Sequence, residues 1–177
     1  PQNFIERTTN DPNGNILSHN YKNNNLTSFT YDSQGNRKSI TDAKAGLSSF
    51  TYEPSFNQLA SIIDAKGNVT TFTYDSQGNL IQTANPEGGI TTYTYNLYGQ
   101  LASITDPKGN TTSFTYDPYG NLSAKTDALG NTTTYTYDIL GRLNSTTDAL
   151  GNISQYTYDN DNNLLSIKDS QANLTSY

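Results

Sequence analysis

The sequence predicts an all-β chain built as a repetitive antiparallel hairpin array, on three observations. Tyr-Asp pairs or close variants return at intervals of 21 or 22 residues, as Tyr31-Asp32, Tyr52-Glu53, Tyr74-Asp75, Tyr95-Asn96, Tyr116-Asp117, Tyr137-Asp138 and Tyr158-Asp159. A period of this size marks a stacked architecture in which each unit is one supersecondary element covered by its neighbours. Glycine turns fall at half that period, leaving only room for short strands between them. Aromatic residues alternate with Thr inside those short segments, the period-2 pattern of a pleated strand.

Each repeat reads roughly YDxxGNLxxxTDxxGNxTxYT. The first turn follows the Tyr-Asp pair, with its glycine at Gly35, Gly78, Gly99, Gly120 or Gly141. The second comes about ten residues later, as in DAKGN from Asp64 to Asn68, DPKGN from Asp106 to Asn110 and DALGN from Asp127 to Asn131. Each string has a mechanical reading. Asp accepts backbone N–H bonds at the turn start, Pro presets the next position, and Gly takes the left-handed conformation that closes a short hairpin loop.

The strand before each Tyr-Asp puts two aromatics on one face and threonines on the other. Phe72 and Tyr74 show it, and so do Phe29/Tyr31, Phe50/Tyr52, Tyr93/Tyr95, Phe114/Tyr116, Tyr135/Tyr137 and Tyr156/Tyr158. The companion strand is less regular, because Leu101 and Ile104, like Leu59 and Ile62, sit three apart and fall on opposite faces of an ideal strand. Either a bulge or a sheet wetted on both sides accounts for that spacing. A meander of roughly sixteen strands about 4.8 Å apart would run ~75 Å if flat, so twist should coil it into a spiral, solenoid or shell-like sheet.

Residues 1–177 therefore read as one array. Within 11–31 one hairpin is shortened, because Tyr21 precedes Tyr31 by only ten residues, and the last repeat is truncated at 177. The absence of methionine and that partial repeat give the sequence the look of a piece cut from something longer.

Composition excludes several classes. The net charge of −6 leaves no basic stripe for nucleic acid or an anionic membrane surface, and no apolar run is long enough to span a bilayer. With no cysteine, disulfide frameworks and thiolate metal sites are out. Low apolar content of 32% leaves too little for a thick core, yet modest charge and 11% aromatics favour ordered sheet over disorder.

Catalysis has little to work with. The single His19 lies in the irregular N-terminal segment and reads as a solvated loop residue; no cofactor or metal is called for. Asp159, Asp161 and Asn163 imitate the start of a calcium loop, but Leu164 and Ser170 stand where Gly and Glu are needed. The repeating carboxylates read as turn caps. The tyrosine stripe reads first as cross-strand packing, with sugar stacking by Tyr93, Tyr135 and Tyr156 as the functional alternative. Asn-x-Ser/Thr strings such as Asn68-Val69-Thr70 and Asn131-Thr132-Thr133 are by-products of the repeat, relevant only in a eukaryotic secretory pathway.

The recurring Tyr-Asp, the turn glycine and the second DxxG turn resemble the YD-repeat, or Rhs-repeat, family across about residues 11 to 177. That family includes Rhs proteins, toxin-complex C components, wall-associated proteins and teneurins. The resemblance implies a secreted or cell-surface bacterial structural protein whose sheet winds into a hollow shell, enclosing a toxin or effector in the toxins. The family has also been linked with carbohydrate. Gly-Arg, frequent at the family's turns, survives here only as Gly141-Arg142. The family's aspartyl self-cleavage motif is not visible, since Asp11-Pro12 and Asp106-Pro107 occupy ordinary turn positions. Expected partners are neighbouring repeats, an enclosed effector or cell-surface carbohydrate. A filament-forming protein is the alternative to a shell, because near-identical repeats leave edge strands able to add further units.

Overall fold

A computed structural model describes residues 7–21 and 25–177 of the chain. Among them every regular element is a strand, seventeen in all against the sixteen or so expected. The chain divides into two compact units, Pro1–Ile90 and Thr91–Tyr177. The first holds β1 (Arg7–Asn10), β2 (Ile16–Tyr21), β3 (Asn25–Tyr31), β4 (Arg37–Thr41), β5 (Leu47–Tyr52), β6 (Leu59–Ile63), β7 (Val69–Tyr74) and β8 (Leu80–Ala84). The second holds β9 (Ile90–Tyr95), which begins on the last residue of the first, then β10 (Leu101–Thr105), β11 (Thr111–Tyr116), β12 (Leu122–Thr126) and β13 (Thr132–Tyr137). It ends with β14 (Leu143–Thr147), β15 (Ile153–Tyr158), β16 (Leu164–Lys168) and β17 (Leu174–Ser176). Within each unit, strands that follow one another in the chain pair antiparallel, the pattern of a hairpin meander. In the shortened N-terminal hairpin β2 and β3 pair from Ser18↔Ser28 to Tyr21↔Asn25, and residues 22–24 lie outside the described residues.

The three-residue spacing of the companion strands is resolved by a bulge. Tyr95 pairs with Leu101 and Thr94 with Ser103, so Ala102 is the extra residue; the same shift follows Leu59, Leu122, Leu143 and Leu164. One inserted residue returns both apolar positions to a single face. Leu101 and Ile104 thus join Tyr95 and Tyr93, and Leu59 and Ile62 join Tyr52 and Phe50.

No described residue is fully buried. In β7 the pattern alternates instead, with Thr70, Phe72 and Tyr74 half-covered while Val69, Thr71 and Thr73 are exposed. Each unit is accordingly a single layer with an aromatic face and a hydroxyl face. On the hydroxyl face cross-strand pairs close at hydrogen-bond distance, as Thr51–Ser61 at 2.7 Å, Thr94–Ser103 at 2.7 Å and Thr136–Ser145 at 2.8 Å. Such directly opposed pairs contribute roughly 0.2–1 kcal/mol each.

The turns share one construction. In Asp64–Asn68 the Gly67 N–H donates to the Asp64 carbonyl at 2.9 Å and the Asp64 N–H to the Asn68 carbonyl at 3.0 Å. Gly67 takes φ +85°, completing a three-residue loop of type I turn plus left-handed residue. Ala45 and Ala172 occupy the same left-handed position at φ 63° and 66°. There a side chain costs roughly 1–2 kcal/mol against the local backbone. The 22-residue interval is explained by one extra loop residue: Glu53 bonds to Gln58 rather than to a residue four on, with Asn57 left-handed at φ 58°.

Replacing Ala45 or Ala172 by Gly should raise stability by about 0.5–1 kcal/mol, the relief of strain less the added freedom of the unfolded chain. Gly78→Ala should cost more than Gly67→Ala. Both sit at φ +85°, but a Cβ at Gly78 meets the Phe56 ring at 3.3 Å while Gly67 has open space. Chemical denaturation of the four variants checks the order.

Candidate functional site

The repeat tyrosines close the last position of the odd-numbered strands and tie three strands together. Tyr52 pairs across to Leu59 at the bulge of the strand that follows, and its hydroxyl donates to the Arg37 carbonyl of the strand before, at 2.9 Å. The same bond recurs as Tyr31 to Ile16, Tyr74 to Leu59, Tyr116 to Leu101 and Tyr137 to Leu122, at 2.8 to 3.0 Å. Its sequence separation is 15 residues each time, set by the hairpin length. The carbonyl that accepts belongs to the first residue of the bulged strand, so bulge and tyrosine form one device. Tyr158 carries a further contact, the Arg142 guanidinium 4.8 Å from its ring centroid.

The tyrosines end on one edge of each unit, where the carboxylate turns begin. Asp117 Oδ1 accepts the N–H groups of Tyr119 and Asn121 at 2.9 Å, and Oδ2 accepts the Asn121 side-chain amide at 3.0 Å. Asp32, Asp75 and Asp159 repeat that pattern on the tyrosine edge of their own units, and Asp64, Asp106, Asp127, Asp148 and Asp169 on the opposite edge of theirs. The closing Asn amide is the leading cause that holds these carboxyls below their ordinary range, with backbone amides adding to it. At Asp32, Asp75 and Asp117 the Asn bond leads as well, and partial desolvation opposes it without reversing the direction. Tyr74 and Tyr137 shift upward, first through burial of the phenol and then through the nearby Glu53 and Asp117 charges.

Neighbouring turns on the tyrosine edge also touch. Asn36 and Asn57 exchange two amide bonds at 2.7 and 2.9 Å, and Gln100 donates to the Gly120 carbonyl at 3.0 Å. Arg142 reaches furthest. It pairs with Asp138 at 2.7 Å and donates to the Asp159 carbonyl and Asn162 of the next turn. The one Gly-Arg turn is thus a clamp between repeats, and a lysine could not form this fork.

His19 is not a loop residue; it lies in β2, half-covered, with Thr8 Oγ1 2.9 Å from its ring nitrogen and the Tyr21 ring edge-on at 4.2 Å. Strand pairing of β1 with β2 produces that setting, which the irregular spacing around residue 20 concealed. Asp159 uses its oxygens on the Asp161 and Asn163 backbone and the Asn163 amide, within its own turn. Asp11 and Asp106 each begin such a turn in different units. Among the described residues no three His, Asp or Glu are gathered as metal ligands. Tyr93, Tyr135 and Tyr156 lie half-covered on the aromatic face, opposite Ile104, Thr146 and Ile167.

The most exposed aromatics are elsewhere and escaped sequence reasoning. Tyr98 and Tyr119 stand at turn tips at 88% and 91% exposure, with Leu97, Ile139 and Leu140 at equivalent tips. Their signal was available as apolar residues inside the DxxG strings, positions that the turn itself leaves free.

The sequence pattern of the Teneurin YD-shell family matches residues 5–133, and that of the RHS repeat matches residues 116–153. The fold is similar to the crystal structure of TcdB2-TccC3 without its hypervariable C-terminal region, with a TM-score of 0.74 at 20% identity over 95% of this chain. It is similar also to the Photorhabdus luminescens Tc holotoxin pore, with a TM-score of 0.72 at 19% identity over 92%. The chain spans 11% of the length of each matched chain. No curated protein sequence matches it.

Tyr116→Phe removes the hydroxyl that serves the Leu101 carbonyl and should cost about 1 kcal/mol, read as a lowered thermal midpoint. Stability should also depend on pH at both extremes. The depressed turn aspartates stabilise the fold above the ordinary carboxyl pKa of about 4, and that contribution is lost as pH falls through their lower folded values. The raised Tyr74 and Tyr137 stabilise it below about pH 10, with loss as pH rises through their folded values. Circular dichroism at both extremes, with tyrosinate absorbance at the alkaline end, reads both.

Proposed function

Because the chain belongs to the Teneurin YD-shell family, we propose that it is a stretch of wall in a secreted or cell-surface shell that encloses an effector. That it is a structural repeat segment follows from the family and the fold; secretion and enclosure are the proposed steps. On this reading residues 1–177 act as one repeat array, with neighbouring repeats as the first partners.

The observation that carries the reading is the two-faced single layer. A sheet with no buried residue of its own, a half-covered aromatic face and an exposed hydroxyl face has the anatomy of a partition between two environments. The described turns are tight and bond their own backbone, so the array lengthens by adding hairpins without needing a larger core. The matched structures bear the names of toxin-complex components, which supports placing an effector or toxin partner with this chain. A filament and a sugar-binding face built on Tyr93, Tyr135 and Tyr156 are the competing readings.

Electron microscopy of the intact protein should show closed hollow particles, and limited proteolysis should spare an internal segment until the particle is opened by acid or denaturant. Long uniform threads would overturn the shell in favour of the filament. On a glycan array the intact protein should give no signal that Tyr93→Ala with Tyr135→Ala abolishes; such a signal would move the aromatic face from packing to recognition.

A further inference from the structure

The second unit carries an apolar strip that the fold does not require. Three successive turns on its tyrosine edge present Leu97 and Tyr98, then Pro118 and Tyr119, then Ile139 and Leu140 at their tips. Leu97 and Ile139 are fully exposed, so these side chains add nothing to folding. Two equivalent tips on the same edge of the first unit, Ser33-Gln34 and Ser76-Gln77, are polar, and those turns make the same carboxylate and backbone bonds. The turn works equally well with polar tips. Grouped exposed apolar residues without a folding role mark a contact surface.

The strip has shape as well as hydrophobicity. One groove lies between the first two turns, lined by Tyr98, Gln100, Asp117, Pro118 and Tyr119. Another lies between the second and third, lined by Asp117, Tyr119, Tyr137, Ile139 and Leu140. Turns on one edge are separated by two strands, so the grooves repeat at about 9.6 Å. A polyproline II helix has three residues per turn at 3.1 Å each and presents the same face every ~9.3 Å. An extended β-strand repeats its face every ~6.7 Å and misses that spacing. Aromatic-lined grooves, here walled by Tyr98 and Tyr119, are the surfaces on which such helices dock.

Charge narrows the ligand further. The Asp117 carboxylate borders both grooves and has no cationic partner among the described residues, whereas Asp138 is paired with Arg142. A second copy of the chain is a poor occupant, because a strip of roughly 20 by 10 Å falls far short of the ~800 Å² per partner that stable association buries. We propose that the turn edge formed by residues 96–100, 117–121 and 138–142 binds a proline-rich segment in the polyproline II conformation, with a basic residue beside Asp117.

The test is fluorescence anisotropy on the intact protein with two labelled synthetic peptides of equal net charge and equal proline and leucine content. One has prolines and leucines in threefold repeat and a terminal arginine. The other has the same residues scrambled around glycines that break the helix. The first should bind saturably below about 1 mM, and the second at least ~10-fold more weakly. Pro118→Ser with Tyr119→Gln installs the tip of the turns at 32–36 and 75–79, so it should lower the thermal midpoint only slightly, by the lost rigidity of Pro118, while weakening the first peptide at least ~10-fold. Asp117→Asn, the residue already used at Asn96, should weaken binding and flatten its salt dependence. No saturation up to about 1 mM, equal binding of both peptides, or unchanged binding in the Ser-Gln variant would overturn the proposal.

Discussion

The structure depends on a polar side chain at the start of each turn that accepts the loop's own N–H groups. A single-layer sheet cannot rely on burial to choose its register, since a one-residue slip is penalised mainly where one face is deeply covered. Register must then be set at the edges, turn by turn. At Asp127 the carboxylate accepts the Leu129 and Asn131 N–H groups at 2.9 Å and the Asn131 amide at 2.9 Å, which fixes loop length and the position of the glycine together. The variants keep that result while changing the chemistry. Asn96 with Gln100 reverses donor and acceptor between the side chains, Asp138 with Arg142 substitutes an ion pair, and Glu53 uses its longer reach to serve a loop one residue longer.

The tyrosines extend this local code across strands. A bulge opposite each tyrosine places the first residue of the next strand on the aromatic face, and that residue's carbonyl receives the hydroxyl of the following repeat. Tyr52, Leu59 and Tyr74 form such a run in the first unit, and Leu101, Tyr116, Leu122 and Tyr137 in the second. Each repeat is held from both sides, which is the structural meaning of a unit that cannot cover itself. The hydrogen bond, modest alone, gains weight here because burial has so little to add.

Much of this was legible in the amino-acid order. Strand pattern, turn positions and the aromatic face follow from period-2 alternation and the DxxG strings, because both signals are local and repeat many times. The spacing of Leu101 and Ile104 left two explanations open, and only strand pairing could choose the bulge. The tyrosine hydroxyl bonds were invisible, since a partner 15 residues away is set by hairpin closure and by a backbone atom that has no sequence identity. His19 was misplaced for a related reason: Tyr21 precedes Tyr31 by only ten residues, so the repeat period gave no anchor there, whereas the residue lies in β2. The exposed tips at Tyr98 and Tyr119 were overlooked because attention to Asp and Gly treats the intervening residues as filler.

Those intervening residues are where a protein of this design is free to acquire function. In the three-residue loops the acidic or amide starter, the left-handed residue and the closing residue make the hydrogen bonds that define the turn, so the two positions between them are left free by folding. The chain fills them with Pro-Asn, Ser-Gln, Ala-Lys, Pro-Lys, Ala-Leu, Leu-Tyr, Pro-Tyr and Ile-Leu while the turn geometry stays the same. Constancy of backbone with variety of tip is the arrangement by which loops on a rigid scaffold carry recognition elsewhere. A single-layer sheet has its faces and its tips for contact with other molecules. In the second unit the tips, more than the half-covered tyrosine face, present large apolar side chains fully to the outside.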